Sequence, residues 1–365
     1  MGFNVEKMAI LVTEYCLPIS EGKKIGIIGK DIARPLIQQL YKQVLLKKGY
    51  PEVYTIIDGL EEIFYAYATP QQLTYVSPFL KYFLENIDGI ISIHAETNVK
   101  RLSSVPSERI RERNTSQTEI VMAYAQHVRP GGLAIIPYPT QAFAQEAEMS
   151  FFEYKDFVGK ACFLDRKDPI EEWKKLSKEQ ERIIEKLDKV ESMRFIGYDT
   201  DLELLVKGRK WINADGHINM PDGEIFTSPV ECSAEGTIRF TYPGIYSSKE
   251  IEDITLTFER GKVTKARAEK GEDLLTQLLK TDEGTARIGE IAFGTNKNIT
   301  RFTKNILFDE KMGNCIHLAL GRGFPMAGGE NFSNIHLDLL KDMKSGEVYA
   351  DGELIYKNGE FLIQK

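Results

Sequence analysis

IEEWKKLSKEQERIIEKLDKVESM, residues 170–193, separates two textures of sequence. Trp173, Leu176, Ile183, Leu187 and Val190 return at helical steps with charges between them, the pattern of a helix with one apolar stripe. Its charged back reads as a solvated face. Upstream, short apolar runs alternate with helical patterns. KKIGIIG (23–29) reads as a buried strand and PLIQQLYKQVLLKKG (35–49) as the helix after it. DGIISIHAE (88–96) and GLAIIPYP (132–139) read as further buried strands. Strands spaced by helices predict βαβ units and a mostly parallel sheet. Downstream, RFIGYDTDLELLVKG (194–208), EGTIRFTYPG (235–244), DITLTFERGKVTKARAEKG (253–271) and GEVYADGELIYKNGEFLIQK (346–365) alternate, with Gly and Asn-Gly turns. That is the signature of antiparallel hairpins. The expected fold is an α/β domain with a mostly parallel sheet over residues 1–192, ending in the long amphipathic helix. A β-rich α+β domain follows over 193–365.

Composition narrows the class. The 365 residues are 42% hydrophobic and 28% charged, ordinary globular values at a length that favours two cores over one. A net charge of −7 argues against nucleic acid or an anionic membrane as partner. No apolar run reaches the length of a membrane span. The opening MGFNVEKMAILVTEY lacks the basic region of a signal peptide, and Glu6 stands where a myristoylation site needs Ser or Thr. Cys16, Cys162, Cys232 and Cys315 are far apart and form no CxxC, so neither a disulfide framework nor a zinc ribbon is expected. A soluble cytoplasmic protein is the expectation. GIIG (26–29) is a fragment of the dinucleotide fingerprint without its third glycine; a close strand-to-helix turn is the simpler reading.

The chemistry gathers downstream. In NIHLD (334–338), taken as a strand, Ile335, Leu337 and Leu339 share one face and His336 and Asp338 the other. The imidazole and carboxylate then stand roughly 7 Å apart at Cα, aimed the same way. CIHLALG (315–321) repeats the design, with Ile316, Leu318 and Leu320 opposite Cys315, His317 and Ala319. Two of only five histidines thus sit in matching frames; a lone one reads more readily as a hydrogen-bonded core residue, and the matched pair with a carboxylate beside the second brings the ligand reading level with it. Glu224 in MPDGEIFTSPVE and Glu290 in RIGEIAFGTN lie among small and apolar residues. Burying them needs a proton, a partner or a cation, whereas a surface turn at each segment's start needs none. Together Glu224, Glu290, His317, His336 and Asp338 suit one or two divalent ions with mixed oxygen and nitrogen donors. Spacing leads no further.

The strings PDGEIFTSPVE, GEIAFGTN, KNILFDEKMGNCIHLALGRG and NIHLD resemble the aminopeptidase S and T family of metallopeptidases. IISIHAETNVKRLSSVPSERI, IPYPTQAFAQEAEMSFFEYKDFV and DLELLVKGRKWINADGHINMPDG resemble family segments in the same order. The resemblance implies an N-terminal α/β domain, a β-rich C-terminal domain with a two-metal site, and a homodimer. It places the ligands on Glu224, Glu290, His317, His336 and Asp338, the ions being Zn, Co or Mn. It implies hydrolysis of peptides with a free N-terminus by a metal-activated water, with Glu224 or Glu290 as general base and nothing to choose between them. One position departs: where the family carries a tyrosine seven residues beyond its first ligand histidine, this chain has Phe324. Phenylalanine has no proton to donate or shuttle. Two other readings therefore stay open. His317, His336 and Asp338 also make a two-histidine, one-carboxylate set, as in Fe(II) oxygenases, and ring-cleaving dioxygenases acting on dihydroxypyridines share this fold. The third reading is an inactive metal-binding relative.

Overall fold

The structure, a computed structural model, describes residues 2–246 and 249–362. Packing divides the chain into two compact units, Met1–Trp173 with Gly216–Pro221, and Lys174–Asp215 with Asp222–Lys365. In the first, β1 (Lys24–Lys30), β2 (Tyr50–Ile56), β3 (Gly89–His94) and β4 (Leu133–Pro137) form a sheet in the order β2-β1-β3-β4, every pair parallel. Ile25, Ile27, Ile90, Ile91 and Ile136 are buried, the continuous apolar burial that a parallel sheet covered by helices requires. The helix after β1, Arg34–Leu46, has Pro35 in its first turn and buries Leu36, Ile37, Leu40 and Val44. A proline there forfeits no hydrogen bond. GIIG lies inside β1 and forms no strand-to-helix turn. A side chain at Gly26 would strike Ile87 and Phe83, so the residue serves packing.

The long helix runs Pro169–Leu187, and Asp168 Oδ1 accepts the Glu171 amide 3.1 Å away at its start. It ends short of the periodic window because Ser192 already opens a strand. The packing break falls at Trp173/Lys174 rather than after residue 192. Trp173 is fully buried, its ring edge-on to Phe163 at 4.9 Å in the first unit, whereas Leu187 belongs to the core of the second.

Strands of the second unit are β5 (Ser192–Gly197), β6 (Thr200–Leu205), β7 (Ile212–Ala214), β8 (Glu224–Thr227), β9 (Glu235–Arg239), β10 (Gly244–Tyr246), β11 (Lys249–Ile251), β12 (Thr255–Glu259) and β13 (Lys262–Arg267). There follow β14 (Ile288–Gly294), β15 (Cys315–Gly321), β16 (His336–Asp342), β17 (Glu347–Ala350), β18 (Glu353–Lys357) and β19 (Glu360–Phe361). They build an eight-stranded sheet, β13-β12-β9-β6-β5-β17-β18-β19, a five-stranded sheet, β16-β15-β14-β8-β7, and the β10-β11 pair. All pairings are antiparallel, as the alternation predicts. One core joins the two larger sheets: Phe195, Leu202, Leu256 and Val348 from the larger meet Ile225, Phe293, Leu318 and Leu339 from the smaller. Phe293 is its hub, with the rings of Phe195, Trp211, Tyr356 and Phe361 at 6.3, 6.0, 5.3 and 4.9 Å. Phe293→Ala is expected to destabilise this unit by about 3–5 kcal/mol, read as a lower denaturant midpoint of its unfolding transition.

Candidate metal centre

The face of the five-stranded sheet turned away from that core carries the candidate ligands. Antiparallel register sets Glu290 and Asp338 on either side of Ala319, Ala292 and Leu340 on either side of His317, and Gly294 opposite Glu224. The residues between them on β14 and β15, Ala292, Gly294 and Ala319, are small and leave room above the sheet. The alternate residues Ile225, Ile291, Phe293, Ile316, Leu318, Leu337 and Leu339 point into the core. Each ligand is therefore held by apolar anchors on its own strand, directly behind it.

Glu290 reaches this face by an irregularity. Ile288 pairs with Leu320 but Glu290 with Ala319, so Gly289 is an extra residue in β14. In a regular strand Ile288 and Glu290 would share a face; the bulge lets Ile288 enter the core while Glu290 enters the site. Only glycine fits at 289, where a Cβ would lie 2.3 Å from the Gly321 carbonyl oxygen and 2.4 Å from that of Arg322.

The candidate ligand atoms converge, and only His336 and Glu290 come within hydrogen-bond distance of each other. His317 Nε2 lies 3.6 Å from both Glu224 Oε2 and Glu290 Oε1, too long for a hydrogen bond. His336 Nε2 lies 3.1 Å from Glu290 Oε2 and 3.4 Å from Asp338 Oδ1. Glu224 Oε2, Asp338 Oδ1 and both ring nitrogens of His317 are buried with no hydrogen-bond partner. Buried polar atoms are rarely left so, and three of them, Glu224 Oε2, Asp338 Oδ1 and His317 Nε2, lie where a cation would meet them. His336 Nδ1 sits 2.9 Å from the Arg322 carbonyl. A carbonyl only accepts, so Nδ1 carries a proton and Nε2 is the nitrogen turned to the centre, the usual support of a ligand imidazole once a cation displaces any proton there.

Electrostatics lead to the same fit. Burial drives the Glu224 carboxyl above its ordinary range. Burial opposes charge on Glu290 as well, but His317 and His336 outweigh it and hold that carboxyl low. Burial likewise disfavours charged His336 and Asp338, yet their mutual attraction carries the imidazole up to about 11 and the carboxyl down to about 2. His317 is raised by Glu290 and Glu224 against its burial. In the absence of a cation the carboxylates thus recruit protons onto both imidazoles, which a divalent ion would release.

All five residues named from the sequence meet here, and the surface-turn alternative for Glu224 and Glu290 is excluded by exposures of 6% and 4%. Among the described residues two groups of candidate ligand atoms have a span fit for a metal: Glu224, Glu310 and His317, and Glu290, His317 and Asp338. His336 falls in neither group, though its Nε2 borders the second. Glu310 carries no signal in the sequence: it caps the four-residue helix Ile306–Asp309 and follows no period. The next residue, Lys311, is fully buried, its Nζ beside Glu310 and 3.4 Å from Glu224 Oε1. Gln180 is a second residue that the sequence reading misses. It is fully buried on the long helix and donates to the Glu224 carbonyl. Its signal is a polar residue on the apolar stripe between Leu176 and Ile183. The remaining histidines do other work: His127 meets the Leu84 carbonyl, His217 packs on Tyr15 and His94 on Phe143. Phe324 stands edge-on to His336 with ring centroids 5.2 Å apart.

Comparison with known proteins agrees with this geometry. Residues 2–361 match the family model described as thermophilic metalloprotease (M29). Aminopeptidase 2 of Geobacillus stearothermophilus is 26% identical over an alignment 411 positions long, covering 99% of this chain and 98% of its own. The structure of wild-type AmpT from Thermus thermophilus superposes with a TM-score of 0.86 at 21% identity, covering 98% of this chain and 99% of its own. The 2,5-dihydroxypyridine dioxygenase of Pseudomonas putida KT2440 superposes with a TM-score of 0.59 at 12% identity, covering 99% and 97%. At those identities the two structures speak for the fold alone, an α/β unit followed by a β-rich one. The match over almost every residue speaks for more: the chain belongs to the M29 family of thermophilic metalloproteases.

Proposed function

We propose that the protein is a metal-dependent aminopeptidase that removes N-terminal residues from peptides. In this reading Glu224, Glu290, His317, His336 and Asp338 hold two divalent ions of the Zn, Co or Mn kind. The observation that carries it is the pair of ligand groups meeting at His317, buried and with unpartnered atoms facing one another, in a chain of a metalloprotease family. When bound, such ions lower the pKa of a water and polarise the scissile carbonyl. The chain's own residues do the rest. The Arg322 carbonyl fixes the His336 tautomer, and the core behind β14 and β15 fixes His317 and Glu290. Glu224 and Glu290 are each candidates for the general base, although a carboxylate committed to a cation is a weaker one. Glu310 is a third candidate, within ligand range of Glu224 and His317 and, at 16% side-chain exposure against 8% for Glu224, nearer to solvent. The two glutamates that accompany His317, His336 and Asp338 weigh against a mononuclear iron site, which needs neither.

A homodimer, implied by the family resemblance, belongs to the same proposal, as does a cytoplasmic location. The four cysteines are free thiols, in keeping with a reducing compartment. Among the described residues no helix is long and apolar enough to cross a membrane.

Elemental analysis of the purified protein, paired with hydrolysis of leucine- and arginine-p-nitroanilide under added Co, Zn or Mn, tests the reading. It expects close to two non-iron ions per chain with turnover, and loss of that turnover in His336→Ala and Asp338→Ala with unchanged circular dichroism. A single iron without turnover would sink it in favour of the oxygenase. Glu310→Gln separates base from ligand: a base loses kcat by about 10²-fold or more at full metal content, a ligand loses metal. Phe324→Tyr restores a hydroxyl beside His336 and is expected to raise kcat by about tenfold or more; an unchanged or lower kcat means the missing hydroxyl limits nothing.

A further inference from the structure

A cavity of about 130 Å³ opens beside the candidate metal centre, and His336 and Asp338 are part of its wall. The rest of the wall is mostly apolar: Pro243, Ile245 on β10, Phe302, Ile306, and Leu337 and Leu340 on β16. Two polar residues complete it, and both are already engaged. Lys304 Nζ is paired with Glu250 Oε1 at 3.0 Å. Asp309 Oδ1 accepts the Thr303 amide and hydroxyl at 2.7 and 2.8 Å. Asp309 is itself 1% exposed and held to Thr303, and Lys304 would repel an incoming cation. The two ligands in the wall are also the more open ones, with side chains 19% and 11% exposed against 1% for His317 and 5% for Glu290. The cavity therefore adjoins the accessible side of the centre.

We infer that this cavity receives the side chain of the substrate's N-terminal residue, and that it selects an aliphatic chain of about leucine size. The inference rests on the aminopeptidase reading above. A carbonyl held at His336 and Asp338 has the side chain of its own residue one carbon away, within reach of Ile245, Ile306 and Leu340. Size sets the upper limit, since an apolar cavity of ~150 Å³ admits a molecule no larger than benzene. Indole is too large. A guanidinium would enter a mostly apolar space beside the Lys304 side chain, with the Asp309 carboxyl buried and held to Thr303, at heavy desolvation cost. Alanine leaves the space unfilled, and each missing methylene in such a pocket lowers kcat/KM by about tenfold or more.

Ile306 allows a clean test, because its side chain is 46% exposed at the rim and supports no core. The probes are the p-nitroanilides of alanine, leucine, phenylalanine and arginine, together with calorimetric binding of free L-leucine and L-alanine. The wild type is expected to prefer leucine over alanine and over arginine by about tenfold or more in kcat/KM. Ile306→Trp, which fills the cavity, should collapse the leucine-to-alanine ratio. Ile245→Ala, which enlarges it from the other side, should raise phenylalanine relative to leucine. Comparable rates on all four substrates, an arginine preference, or a ratio unmoved by either variant would overturn the assignment. Failure of the function itself looks different. No turnover combined with leucine binding that Ile306→Trp weakens would retain the pocket and remove hydrolysis. No turnover and no binding would remove both.

Discussion

Glu224, Glu290 and Asp338 share one small and largely buried space, and like charges there repel strongly unless something positive joins them. Much of the second unit can be understood as the means of keeping them together. The apolar residues on the back of β8, β14, β15 and β16 lock into a single core, so no strand can rotate to relieve the repulsion. Ala292, Gly294 and Ala319 keep the intervening positions of the sheet low. Gln180 ties the long helix to the backbone of Glu224, and Lys311 contributes a buried ammonium beside it. A framework that tolerates such crowding has a cation as its natural complement.

Legibility in the sequence follows locality. Alternation in CIHLALG and NIHLDLL is local, so the facing of His317, His336 and Asp338 can be read from the amino acids alone. The parallel sheet and the hairpin-rich half are readable for the same reason. Glu224 and Glu290 cannot be separated from surface turns by period alone; their roles come from family resemblance. For Glu290 the bulge at Gly289 explains why, since residues 288 and 290 have the same parity and yet face opposite ways. Glu310 is invisible because a four-residue helix has no period to read. The division of the chain in the second turn of the long helix is hidden too. A regular stripe of apolar residues does not say which neighbour each one touches, and Trp173 and Leu187 serve different cores.

Phe324 shows how a site can keep its ligands and change one neighbour. Its ring packs on His336 and Phe226, and its amide donates to the Ser228 hydroxyl at 2.9 Å, so the position is structurally sound without a hydroxyl. The loop that carries it also supplies the Arg322 carbonyl that orients His336. Support for the histidine and the polarity of its surroundings are thus set by residues two apart.

His317 stands in both ligand groups. Were each group to hold an ion, as proposed above, an imidazole drawn toward one would no longer be placed as it was for the other, so occupancy at either position would alter affinity at its neighbour, and by thermodynamic reciprocity the effect would be mutual. Loading would then be a property of the pair, and a half-filled centre would be a distinct chemical species with its own affinity for the second ion.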